Sequence, residues 1–66
     1  MEIHYLPSFA NDYEFIVCSK KKDSNEYIYD SVFENGWNAE IRCKELREEG
    51  FEPIIIHNVR IQGRRK

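Results

Sequence analysis

The sequence predicts a small α+β domain of ββαβ order, in which one helix packs on one face of a three- or four-stranded, mainly antiparallel sheet. Apolar residues recur at helical spacing in one segment only. Two segments rich in aromatic and β-branched residues precede it, and an isoleucine-rich segment follows. The chain of 66 residues is 41% hydrophobic and 14% aromatic. That is enough for one thin core, so residues 1–66 are expected to form a single domain.

The two segments before the helix predict a β-hairpin. Residues 12–19 (DYEFIVCS) and 26–33 (EYIYDSVF) are strand-like, and residues 20–25 (KKKDSN) are rich in turn formers. Residues 1–6 alternate like a strand until Pro7, and whether they add a fourth strand is left open. The first hairpin strand divides its side chains between two faces, with Tyr13, Phe15 and Val17 on one and Glu14, Ile16 and Cys18 on the other.

The helix is predicted between Asn35, a favoured N-cap residue, and Gly50, which suits the left-handed C′ position. Ala39, Cys43 and Leu46 recur at i, i+4 and i+7 and therefore mark the face that packs on the sheet. Because one helix covers only one face of a sheet, the opposite face is expected to be open to a partner.

The sequence also offers an earlier start for the helix. Ser31 and Glu34 form an S-x-x-E capping box that would begin the helix sooner. The later start is preferred because the segment before Asn35 has the composition of a strand.

Residues 54–61 (IIIHNVRI) are the predicted last strand, and residues 62–66 form a basic, flexible tail.

Charge is divided unevenly along the chain, although the net charge is only −2. Residues 23–52 carry nine acidic and three basic residues, a balance of −6. Residues 53–66 carry four basic residues and no acidic ones, and residues 20–22 are all lysine. An acidic body with a basic end indicates an interaction surface, and an ordinary solvated surface is the alternative.

Neither a metal site nor a catalytic site is expected. Zinc ligands usually come in closely spaced pairs, whereas Cys18 and Cys43 are 25 residues apart and His4 and His57 are 53 apart. No nucleophile-elbow, nucleotide-loop or H-E-x-x-H motif occurs. A Cys18–His57 nucleophile–base pair would need adjacent strands and a water-excluded pocket, which a thin sheet does not offer. We therefore expect no enzyme activity and no cofactor.

The sequence predicts a cytoplasmic protein with reduced thiols. Two cysteines do not make a disulfide framework, so both are expected to be free. No apolar run approaches the roughly 20 residues that span a bilayer. The first 14 residues lack the cationic start and apolar core of a signal peptide.

Trp37 and Ile41 form a second apolar pair on the helix, roughly opposite the core stripe. Two interpretations are open. Trp37 either folds over the sheet edge as part of the first helical turn, or it is an exposed anchor for a partner. Tryptophan is over-represented among the residues that dominate binding energy at interfaces.

The basic end and the second strand supply the other candidate partner-binding residues. Arg60 lies on the predicted last strand, which would fix its position in the fold. Tyr27 and Tyr29 alternate on the second strand, and bases stack on such side chains in RNA-binding sheets. The candidate residues in the tail are Arg64, Arg65 and Lys66.

Two family resemblances are visible. Residues 33–56 (FENGWNAEIRCKELREEGFEPIII) have a capped helix, an early alanine, a late leucine, a Gly-aromatic pair and an apolar strand. This order resembles half of a SPOR domain, a peptidoglycan-binding domain that contains two such halves. The ββαβ order, small size and divided charge resemble the host RNA polymerase inhibitor of T7-like phages. The matching residues are Gly50, Phe51, Glu52 and Arg60.

The second resemblance implies a protein that docks on a large host enzyme through Arg60 and through acidic residues of the second strand and the helix. We therefore expect a small, non-enzymatic, phage-encoded binding protein that inhibits or modulates a larger host protein, with RNA polymerase as the candidate. One alternative is a nucleic-acid-binding module that uses the basic C-terminus and the tyrosine-bearing strand. The other is a homodimeric structural protein that buries the open sheet face. No membrane partner is expected.

Overall fold

The computed structural model of the protein describes residues 3–58 and confirms the α+β fold. The elements in chain order are β1 (Ile3–His4), a 3₁₀ turn (Ser8–Asp12), β2 (Phe15–Lys21), β3 (Tyr27–Phe33), α1 (Gly36–Glu48) and β4 (Phe51–His57). The strands form one sheet in the order β1-β3-β2-β4, and α1 packs against it. β2 is antiparallel to both of its neighbours, whereas β1 is parallel to β3.

The N-terminal segment does add a fourth strand. Ile3 and His4 pair with Tyr27 and Ile28 at the edge of the sheet. Several strand boundaries differ from the prediction by one to three residues. β2 begins three residues later than predicted, because the chain is still leaving the 3₁₀ turn at Asp12.

The last strand begins three residues earlier than predicted, at Phe51, and includes Pro53. Asn58 donates its backbone N–H to the Glu14 carbonyl oxygen (2.7 Å). Backbone N–H groups along a strand point alternately to one side and the other, so the even-numbered residues of β4 point theirs towards β2, as Asn58 does. Pro53 is odd-numbered and lies on the side of the free edge, where its missing N–H removes no hydrogen bond to β2. The end of the predicted strand, residues 59–61, and the predicted tail, residues 62–66, lie outside the described residues.

The predicted helix ends are confirmed. The Asn35 Oδ1 atom accepts a hydrogen bond from the Asn38 backbone N–H (2.9 Å), as an N-cap requires. At the other end, Gly50 has a φ of +95° and donates its N–H to the Arg47 carbonyl oxygen (3.1 Å). The alternative start at the S-x-x-E box is wrong, because Ser31 lies within β3 and is paired with β2.

The helix-side core is the one that the sequence predicts. Val17, Ala39, Cys43 and Leu46 form a buried cluster between the sheet and α1. Phenylalanine and isoleucine side chains from three strands pack around it; they are Phe15, Phe33, Phe51 and Ile55. The i, i+4, i+7 stripe therefore identifies the buried helix face correctly.

The expectation of an open second sheet face is wrong. The 3₁₀ turn places Ala10, which is fully buried, against Ile16 and Cys18 on that face. Half-buried residues from β1, β3 and β4 pack around this second cluster; they are Ile3, Tyr27, Tyr29, Val32, Ile54 and Ile56. A segment too short and irregular to show helical periodicity therefore covers the centre of the sheet, which periodicity alone does not reveal.

Both thiols are free and buried, on opposite faces of the sheet. Burial, with a smaller contribution from the Asp30 carboxylate, raises the pKa of Cys18 to about 11. Burial also raises the pKa of Cys43. Because the thiolate is the reactive form, both cysteines are expected to be poor nucleophiles in the folded protein.

We therefore expect both thiols to resist alkylation until the protein unfolds. With a pKa of about 11, only about one Cys18 side chain in a thousand is ionised near pH 8. Labelling with iodoacetamide followed by mass spectrometry, with and without denaturant, measures this protection. Rapid labelling of Cys43 in the folded protein would show that its helix face is not packed, and a Cys18–Cys43 disulfide would contradict the two-sided arrangement.

A bidentate ion pair ties the helix to β3. The Arg42 guanidinium donates from Nε to Oδ2 of Asp30 (2.7 Å) and from Nη2 to Oδ1 (2.9 Å). Ser31 donates its hydroxyl to the same carboxylate (2.8 Å). Asp30 is the residue that the register skips, since Val17 pairs with Ser31 while the next residue of β2 pairs with Tyr29. The resulting irregularity in β3 places the carboxylate beside the helix.

Candidate docking surface on the helix

The outward face of α1 carries the most exposed large apolar side chain of the helix. Trp37 is 76% exposed and Ile41 is 44% exposed. The two residues are one helical turn apart and lie opposite the buried stripe of Ala39, Cys43 and Leu46. The interpretation in which Trp37 folds over the sheet edge is therefore wrong. With the core stripe held against the sheet, helical geometry directs Trp37 towards solvent.

Acidic side chains border this apolar pair. Glu40 and Glu45 lie on either side of the Trp37–Ile41 pair. Lys44 and Glu48 follow the pair towards the C-terminal end of the helix, and all four residues are exposed. We use "outward face" for these four residues together with Trp37 and Ile41. Its formal charge is −2, from three glutamates and one lysine.

Two arginines border this face; Arg47 is exposed, whereas Arg42 does not offset the charge of the face for a partner. The Arg42 guanidinium is held by Asp30 and also donates from Nη1 to Oε1 of Glu45 (3.1 Å). The hydrogen bonds from Arg42 hold the pKa of the Asp30 carboxyl below its usual range. Within residues 3–58, no ion pair involves Glu40, Lys44 or Glu48. These three charges therefore remain available at the surface.

The predicted tyrosine platform lies on the other face of the sheet. Tyr27 and Tyr29 share that face, as their alternation predicts, and both are half-buried. The Phe9 ring meets Tyr29 edge-on, with ring centroids 6.3 Å apart. Burial and the Asp30 carboxylate raise the pKa of Tyr29. This contact leaves less of the Tyr29 ring for a stacked base than an open sheet would.

The basic candidate residues are only partly within the described chain. Arg60, Arg64, Arg65 and Lys66 lie outside the described residues, so their predicted role in partner binding stays a prediction. Lys20 and Lys21 were predicted in the hairpin loop but belong to β2, and Lys20 donates its Nζ to Oε1 of Glu52 across the β2–β4 pair (2.9 Å). Lys21 and Lys22 are exposed.

Sequence reasoning missed a second exposed apolar group in the N-terminal segment. Tyr5 is 83% exposed, and Leu6 and Phe9 are also exposed. Tyr5 has a φ of +64°, which is unusual for a bulky residue. The only sequence signal here is Pro7, which ends the short strand and restricts the backbone of the residue before it, Leu6.

The structure separates the residues that nucleophilic catalysis would need. β2 and β4 are neighbours, but Cys18 lies on the face covered by the 3₁₀ turn, whereas His57 pairs with Phe15 on the helix side. The His57 ring stacks on Phe15 (4.8 Å between centroids), and its Nε2 atom lies 3.3 Å from Oε2 of Glu14. No group of three His, Cys, Asp or Glu side chains in the described part of the chain could hold a metal ion.

No helix within residues 3–58 is long and apolar enough to cross a membrane. Comparisons of the chain with protein-family models, curated proteins and solved structures gave no match. The surface of the molecule is therefore the basis for an inference about function.

Proposed function

We propose that the protein is a small, non-enzymatic binding protein that docks on a larger protein through the outward face of α1. The observation that carries this proposal is the exposure of Trp37 beside Ile41 on a regular helix. A side chain held on a helix loses little backbone freedom on binding, which favours its use as an anchor. Tryptophan in such a position typically supplies a large share of interface energy.

The family resemblance suggests which partner to test first. A plan similar to the host RNA polymerase inhibitor of T7-like phages favours a phage-encoded inhibitor or modulator that acts in the bacterial cytoplasm on RNA polymerase. The divided charge of the chain suits a partner surface of mixed charge. Two buried, unpaired thiols are compatible with a reducing compartment.

Replacing Trp37 with alanine is expected to weaken partner binding by about 2 kcal/mol, or roughly thirtyfold in Kd. The measurement is capture of partners from a bacterial lysate by the wild-type protein and the variant, followed by titration of the captured protein. Purified bacterial RNA polymerase is the first protein to titrate directly. Circular dichroism checks that the variant is folded.

Tyr5→Asn is the matched control. It removes an aromatic side chain that is exposed to a similar degree but lies far from the helix in the sequence, and asparagine tolerates the positive φ at this position. Wild-type binding by Tyr5→Asn, with loss in Trp37→Ala, supports the proposal. Equal binding by all three proteins contradicts it.

Variants of the basic C-terminal residues distinguish docking on a protein from binding to nucleic acid. Arg60→Ala is expected to weaken binding more than removal of residues 64–66. The sequence predicts Arg60 on the last strand, and an arginine fixed there would lose less entropy on binding than residues of a tail. If removal of the tail abolishes binding while Trp37→Ala binds normally, the protein acts through a polycationic tail. Steep salt dependence of binding to DNA or RNA would then identify a nucleic-acid partner. A mass that rises with protein concentration would instead favour the homodimer.

A further inference from the structure

We infer that the partner site for the outward face is an apolar pocket bordered by arginine or lysine side chains. The inference rests on the proposed function and specifies the chemistry of the partner. The outward face presents two apolar side chains among three glutamates and one lysine. A pocket that buries Trp37 must bring its own rim against those glutamates.

The charges on the outward face favour a basic protein surface over an acidic one or a nucleic acid. A phosphate backbone or an acidic protein rim would place like charges against Glu40 and Glu48, which have no internal ion pair among residues 3–58. Arg42 cannot relieve that repulsion, because Asp30 and Glu45 already accept its hydrogen bonds. A basic rim gains attraction at Glu40 and Glu48, which outnumber the one repulsive contact with Lys44, and it also accelerates encounter.

Trp37 makes the electrostatic part of this inference measurable without a partner, because it is the only tryptophan of the chain. Its fluorescence is quenched by iodide, which an acidic surface repels, and by caesium, which an acidic surface attracts. The variant Glu40→Gln/Glu48→Gln is expected to raise the ratio of iodide to caesium quenching. The control Asp12→Asn/Asp23→Asn removes the same formal charge at exposed positions outside the helix and should leave the ratio unchanged.

Two synthetic amphipathic peptides of about 18 residues, long enough to form a helix, then serve as probes. They share one leucine face, and their polar faces are either arginine and lysine or glutamate. The basic peptide is expected to shift Trp37 emission to the blue and to bind more tightly than the acidic one. Added salt should reduce that difference. The Glu40→Gln/Glu48→Gln variant should lose about threefold to tenfold in affinity for the basic peptide, which corresponds to two exposed charge pairs.

Three results would overturn the inference. These are equal binding of both peptides, no shift of Trp37 emission by either peptide, or no difference between the glutamate variant and the aspartate control. Capture of partners from the lysate with Trp37→Ala shows whether only the basic rim is wrong or whether docking through Trp37 is wrong as well. If that variant still loses its partner while the peptides fail to discriminate, Trp37 is an anchor and only the basic rim is wrong. If capture does not depend on Trp37, both are wrong.

Discussion

Replacing Leu46 with alanine is expected to lower the free energy of unfolding by about 2–5 kcal/mol, the usual cost of a large-to-small change in a core. Leu46 is 3% exposed and closes the cluster with Val17, Ala39 and Cys43. A domain of this size has a thin core that rarely supplies more than about 3–5 kcal/mol of stability. The substitution is therefore expected to leave a large fraction of the protein unfolded at room temperature.

Ile41→Ala is the control for this experiment. It removes an aliphatic side chain from the same helix at a position that is 44% exposed, so its effect should stay within about 0.5 kcal/mol. Urea denaturation followed by circular dichroism measures both variants. A cost below about 1 kcal/mol for Leu46→Ala would show that this helix face is not the packed one.

Replacing Asp30 with alanine is expected to lower the free energy of unfolding by about 1.5–3 kcal/mol, the typical contribution of hydrogen bonds to charged groups. The change removes both acceptors of the Arg42 fork and leaves a half-buried guanidinium without its carboxylate. Glu45→Gln is the matched control, because its contact with Arg42 is exposed and lies on the same helix. That substitution should cost less than about 0.5 kcal/mol.

The effect of Asp30→Ala should depend on pH in a defined direction. The hydrogen bonds from Arg42 lower the pKa of Asp30 in the folded protein. A carboxyl with a lowered folded pKa stabilises the protein fully above its unfolded pKa of about 3.9 and loses that contribution as the pH falls through the folded pKa. The difference between the wild type and Asp30→Ala should be constant near neutral pH and shrink in acid. A difference that grows in acid would rule out this ion pair as the source.

The local elements of the fold were predictable because their signals are local. Asn35 and Gly50 are residues with strong preferences for the ends of a helix, and both act at those ends. The core stripe follows from the 3.6-residue period, and the same period predicts that Trp37 and Ile41 face away from it. The sequence alone could not decide whether Trp37 is exposed, since a first-turn residue can also fold over a sheet edge.

Tertiary structure alone determined how separate segments meet. The sequence has no signal for the Asp30–Arg42 ion pair, because the two residues are 12 positions apart and meet only where α1 crosses β3. The cover of the second sheet face by Ala10 was equally hidden, because a 3₁₀ turn lacks a periodic pattern. Propensity and periodicity act over a few residues, whereas these contacts depend on the path of the chain in three dimensions. For that reason the sequence by itself determined the helix, its buried face and the three long strands, and only the packed structure decided which surfaces remain open to a partner.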